Sequence, residues 1–201
     1  MSIPFATALK IVFAPVPGWR AAGSEESSFG SVLLLQTIPM AALSAFCWYV
    51  GTSQIGWRVG EQTMRLTSTS ALALCALYFL AMVAGVVFLG AMVRWMSTTY
   101  GQESDFSTGF KLISYTATPF FLAGVIGLMP ILWLDILVGT LVACYCIYLL
   151  YRGVSPMMKV EPERGFLYAS AVFAVALVSF VGLLTVTALL WEYGPAPEYR
   201  Y

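Results

Sequence analysis

The run SALALCALYFLAMVAGVVFLGAMV, residues 70–93, carries no charged side chain. At about 1.5 Å per residue a helix of this length reaches about 36 Å, enough to cross the roughly 30 Å hydrocarbon layer of a bilayer. Within lipid every backbone N–H and C=O has to find its partner inside the segment, so such a run is read as a transmembrane helix. Four further stretches qualify on either side of it: 30–50, 112–129, 131–151 and 166–190. The third is short. The expected fold is all-α, a polytopic membrane protein whose residues 30–190 form a bundle of five transmembrane helices.

The rest of the composition agrees. Of 201 residues, 60% are hydrophobic and 10% are charged, with mean hydropathy +0.83. A soluble domain has roughly 45–50% apolar and about 25% charged residues. A water-soluble fold of this length has nowhere to hide the excess, so lipid is the expected partner. Ten basic and ten acidic residues balance to zero with no charge block, which excludes a nucleic-acid surface. Cys47, Cys75, Cys144 and Cys146 all fall within apolar runs and are read as small hydrophobes, with no disulfide framework.

Punctuation places the ends. Ser104 and Asp105 stand where an N-cap would start the third helix. Pro130 leaves almost no loop between spans three and four and is expected to open the fourth helix. Gly153 is expected to end span four, and Glu161 with Pro162 to start span five. Residues 1–29 are expected to form an amino-terminal segment without a cleaved signal peptide. Its apolar part should lie in the interface as a short helix, with Phe5, Leu9, Val12 and Phe13 in lipid and Trp19 and Arg20 among headgroups. Five spans put Lys10, Arg20, Arg94, Lys111, Arg152, Lys159 and Arg164 on one side and Arg58, Arg65 and Arg200 on the other. The positive-inside tendency then predicts a cytoplasmic amino terminus and a tail, 191–201, outside. Trp and Tyr residues near the span ends, Trp48, Trp57, Trp95, Trp133 and Trp191 among them, suit interfacial anchors.

Chemistry is sparse. The chain has no histidine, which removes the commonest general base and transition-metal ligand. No Gly-x-Ser-x-Gly nucleophile setting and no phosphate-binding glycine loop occurs. Cys144 and Cys146 point about 200° apart on a helix, so they do not share a metal. No enzymatic activity and no cofactor is expected. Asp135 is the one formal charge inside a span, about 7 Å from its outer end. It is a candidate proton or ion ligand, or structural glue to Thr185, Thr187 or Arg65. Gln36 and Pro39 interrupt the first span, and Pro119 interrupts the third just after Ser114, Tyr115, Thr116 and Thr118. Such breaks either line a route or are simply kinks. Small residues four apart, at Ala81 and Gly85, Ala123 and Gly127, Gly139 and Ala143, and Ser170 and Ala174, are candidate packing seams.

Two stretches carry a family resemblance. KLISYTATPFFLAG, residues 111–124, followed by Pro130, and YLLYRGVSPMMKVEPERGFLY, residues 148–168, resemble the third-span and post-fourth-span signatures of the Yip family. These are Rab-GTPase-interacting membrane proteins and their bacterial relatives. The opening FAPVPGWRAA, residues 13–22, is similar to the start of the bacterial branch. The resemblance implies a five-helix bundle without catalysis, acting on membrane organisation or through partners. It singles out Lys111, Tyr115, Pro119, Tyr148, Tyr151, Pro156, Pro162 and Arg164 as matching positions, expected near one cytoplasmic edge. Rab binding is not carried over, because the acidic Leu-Tyr-Gly-Pro motif of the eukaryotic branch is not legible. The expected protein is an inner-membrane scaffold or adaptor with membrane lipids, an unknown protein partner or a second copy of itself as partners. A small transporter or channel using Asp135 is the alternative.

Overall fold

A computed structural model describes residues 4–59, 62–100, 103–193 and 197–200. Five of its helices are long and apolar enough to cross a membrane. In chain order the elements are α1 (Pro4–Phe13), α2 (Pro15–Ser24), α3 (Phe29–Ile55), β1 (Trp57–Val59), β2 (Gln62–Leu66), α4 (Ser68–Tyr100), α5 (Phe106–Leu128), α6 (Leu132–Met158), α7 (Pro162–Tyr193) and β3 (Tyr199–Arg200).

The five long helices sort themselves by polarity. α5 is the least hydropathic and by far the most buried, whereas α4, α6 and α7 have few buried residues along their most apolar windows. Lipid accepts Leu, Val and Phe but not Ser, Thr and Lys, so the helix rich in hydroxyls takes the centre and the oiliest ones surround it. Leu72, Leu141, Val178 and Phe180, all more than half exposed, therefore face acyl chains.

Close approaches between α3, α4 and α5 depend on glycine. A Cβ on Gly51 would sit 1.7 Å from the Gly127 carbonyl oxygen, and one on Gly109 would sit 2.7 Å from that of Gly90. Of the expected small-residue seams, Gly127 is used in this way. Gly85 and Gly139 have nothing within 4 Å and face open surface.

Several helix ends fall where the sequence placed them. Asp105 caps α5, its carboxylate accepting from the Phe106 amide at 2.8 Å, and α7 begins at Pro162 with Glu163 in its first turn. Others differ. α6 does not end at Gly153 but runs on to Met158, stopped by Lys159 in the left-handed region at φ 53°. Gly153 is instead a notch that receives Trp19. Pro130 precedes the fourth helix, which starts at Leu132.

The amino-terminal segment is not a lone helix lying on lipid. α1 and α2 form a hairpin, with Gly18 so close to Ile11 that a Cβ would approach its Cα to 2.7 Å. The hairpin docks on the bundle and buries Ala8, Ile11, Trp19 and Ala22. Trp19, expected among headgroups, is 1% exposed, and Phe5 packs against the core. Phe13, at the turn, is 81% exposed. Two short amphipathic helices bury their apolar faces against each other and the bundle, which is why neither floats in the interface.

A second feature was absent from the all-helical reading. β1, β2 and β3 form a small antiparallel sheet at the opposite end, with Trp57 facing Met64 and Arg65 facing Arg200. Gly56, at φ 81°, makes the turn from α3 into β1. The carboxyl-terminal tail thus folds back on the β1–β2 ribbon, and the Thr67 amide donates to the Glu198 carbonyl at 2.9 Å.

Candidate functional site

The two interrupted spans meet at a buried polar cluster. Pro39 cannot donate a helical hydrogen bond, and the turns before it, Leu33–Thr37, widen into a π-helical segment. This swings Gln36 and Thr37, both fully buried, toward α5. There Pro119 forces a second break after Thr116, and the Thr118 hydroxyl bonds the Ser114 carbonyl at 3.2 Å, satisfying the ladder locally. Gln36 Nε2 donates to Thr118 Oγ1 at 2.8 Å, while its Oε1 accepts from Ser114 Oγ. Thr37 Oγ1 and Ser114 Oγ lie 2.6 Å apart. Every side chain of this set has a partner within the set and joins α3 to α5, whereas Thr116 Oγ1 on the same stretch is buried without one.

Lys111 and Tyr115 are one turn apart on α5 and point under the α1–α2 hairpin. Lys111 is 7% exposed, and its Nζ donates to the Glu25 carbonyl at 2.7 Å. The Glu25 carboxylate in turn accepts from Thr7 Oγ1 at 2.8 Å. One lysine therefore ties the α2–α3 loop to the central helix, and Thr7 ties α1 to the same loop. The Tyr115 hydroxyl, Ser27 Oγ and Glu25 Oε1 are buried beside this junction without a hydrogen-bond partner. An open cleft of about 550 Å³, lined by residues 26–29 and 105–107, lies at the same end.

The remaining matched positions do not join Lys111. Tyr148 is 42% exposed on α6, stacked on Tyr145 with ring centres 5.8 Å apart, and the Arg152 guanidinium lies 5.7 Å from its ring centre. Tyr145, which sequence reasoning missed, donates to the Val12 carbonyl at 2.7 Å and holds the hairpin turn against α6. Its neighbour Tyr148 was the only signal for it. Tyr151 turns toward α7, its hydroxyl 2.8 Å from Ser170 Oγ and its ring against Phe166. Pro156 lies in the last turns of α6, where its carbonyl faces Gly23, and Pro162 and Arg164 are exposed at the start of α7. Pro119 is buried as part of the broken α5. Apart from Pro119, midway along α5, these residues lie toward the end of the bundle bearing α1 and α2, where they split into a buried group and a more exposed group.

Asp135 stands apart, in the first turn of α6 at the sheet end. None of its expected partners reaches it. Thr185 and Thr187 bond carbonyls of their own helix, and Arg65 Nε bonds the Ile55 carbonyl at 3.3 Å. Its Oδ1 is buried without a partner. Measured along the helices, Asp135 and Gln36 are separated by about 20 Å, so they do not form one site. Among the described residues no group of three or more His, Cys, Asp or Glu could hold a metal.

Fold and site together define a class: a multi-pass α-helical membrane protein with a closed central helix and a docked amino-terminal hairpin. The chain belongs to the Yip1-domain family, whose model matches residues 9–183. It is 37% identical over 156 residues to the inner membrane protein YohC of Escherichia coli strain K12, a match covering 77% of this chain and 80% of that protein. The protein of the same name from Escherichia coli O6:H1 matches equally. No solved structure matches. The chain is accordingly a multi-pass inner-membrane protein in contact with lipid.

Proposed function

We propose that this protein is a membrane scaffold or adaptor that engages protein or lipid partners through the end bearing α1 and α2, and that this end faces the cytoplasm. The observation that carries the reading is the closure of the Gln36, Thr37, Ser114 and Thr118 network, which uses these four side chains to join α3 to α5. Orientation follows from charge. Lys10, Arg20, Arg94, Arg152, Lys159 and Arg164 belong to the hairpin end, and Arg58, Arg65 and Arg200 to the sheet end. Rab-type GTPase binding is no part of the proposal.

Crosslinking in native membranes tests the role: recovery of a defined protein partner or a homo-oligomer is expected, and a solitary monomer would refute it. Reporter fusions test the orientation, with a cytoplasmic reporter active after Lys159 and a periplasmic one active after Arg200. The competing reading, a small transporter, is favoured only by the unpartnered Asp135 carboxylate. It requires flux in proteoliposomes that Asp135→Asn abolishes while expression is retained.

A further inference from the structure

The seam between α2 and α6 carries an unpartnered hydrogen-bond donor between two exposed cationic side chains. Trp19 sets Cε2 and Cζ2 into the Gly153 notch, where a Cβ would lie 2.6 Å from either atom. Its Nε1, bonded to that Cε2, is buried without a hydrogen-bond partner. One arginine adjoins each contact residue in the chain, Arg20 after Trp19 on α2 and Arg152 before Gly153 on α6, and both are exposed. The carboxylate nearest along α2, that of Glu25, accepts from Thr7, while Glu161 and Glu163 point outward at the start of α7.

The seam continues directly into lipid. Leu141, Tyr145, Tyr148 and Arg152 recur at i, i+4, i+7 and i+11, so they form one stripe down α6. Leu141 is 61% exposed at its apolar end, and Arg152 lies over the Tyr148 ring at the other. The Tyr145 hydroxyl fixes Val12, and with it the hairpin turn bearing Phe13, against this stripe. An acyl chain on Leu141 would therefore bring its headgroup to the Arg152 guanidinium, with Arg20 on the helix packed against α6 through Trp19. Guanidinium forks match phosphate oxygens in pairs, and tyrosines favour the headgroup level.

We propose that the α2–α6 seam binds an anionic phospholipid, its phosphate held by Arg20 and Arg152 and its chain lying along Tyr148 and Leu141. The bound lipid would pin the hairpin to the bundle. This inference rests on the proposed role at the end bearing α1 and α2 and names its lipid partner; loss of lipid preference would leave the crosslinking test of a protein partner untouched.

The test uses the purified, delipidated full chain, titrated with phosphatidylglycerol or phosphatidylcholine in micelles, with adducts counted by native mass spectrometry. The wild type should retain phosphatidylglycerol in clear preference. Each of R20Q and R152Q should weaken that retention about fivefold, and the double variant roughly thirtyfold. Arg58→Gln, at the opposite end, should leave it unchanged, and size-exclusion profiles establish that the variants are folded. Equal retention of the two lipids by the wild type would overturn the proposal. So would undiminished retention in the folded single variants, or release of the lipid by millimolar inorganic phosphate.

Discussion

Replacing Gly51 by alanine tests the packing of the broken helices more sharply than any polar change. In isolation the substitution favours the folded state, since alanine is the better helix former by about 1 kcal/mol. In the bundle the new Cβ would lie 1.7 Å from the Gly127 carbonyl oxygen, whereas ordinary contact begins at 3.4 Å. Two backbones must then part by about 1.7 Å, because neither contact atom belongs to a side chain that can swing away. Overpacking of this kind costs typically 1–3 kcal/mol and more where backbone moves. The net expectation is a loss of about 2 kcal/mol, or roughly 4–8 °C in Tm for a chain of this size. Gly139→Ala makes the same chemical change where nothing lies within 4 Å, so it should raise stability by about 0.5–1 kcal/mol. Thermal unfolding of both variants in one detergent provides the comparison. If Gly51→Ala were as stable as the wild type, or Gly139→Ala fell equally, the close approach of α3 and α5 would be refuted.

Gln36→Leu removes the donor to Thr118 and the acceptor for Ser114, leaving buried hydroxyls, and should lower thermal stability by about 1–3 kcal/mol; an unmoved transition would contradict the network. Tyr145→Phe deletes the bond to the Val12 carbonyl, worth about 0.5–1.5 kcal/mol, and should speed amide exchange in α1 and α2 while leaving the bundle transition in place. Equal exchange would mean that the hairpin is held by apolar contact alone. Lys111→Met should expose the loop between Ser24 and Ser28 to protease, since the charged hydrogen bond to the Glu25 carbonyl contributes about 1.5–3 kcal/mol; cleavage at the wild-type rate would show that Lys111 does not order that loop.

Much of the helical framework was legible because it depends on one segment at a time. Asp105 caps its helix and Pro162 starts another through bonds to near neighbours. Gly153 misled because a glycine near a span end can stop a helix or admit a neighbour, and only Trp19, far away in the chain, decides which. Trp19 itself was misplaced because interfacial and buried tryptophans look alike until their surroundings are known. β1 to β3 were missed because strands of two to five residues carry no periodicity to read. Among the candidate site residues, Lys111 and Tyr115 were singled out by the family resemblance, in the stretch KLISYTATPFFLAG. Their opposite number Glu25 belongs to a distant loop, and only the fold brings it to Lys111.

From sequence alone came the membrane solvent, the all-helical class and the family likeness, because partition into lipid is a property each segment has by itself. The tertiary structure decided which helix is central, that the breaks at Pro39 and Pro119 close on each other, and that the amino-terminal helices dock instead of floating. Those are pairwise matters, set by which polar group finds which partner once water is gone, and no single segment contains them.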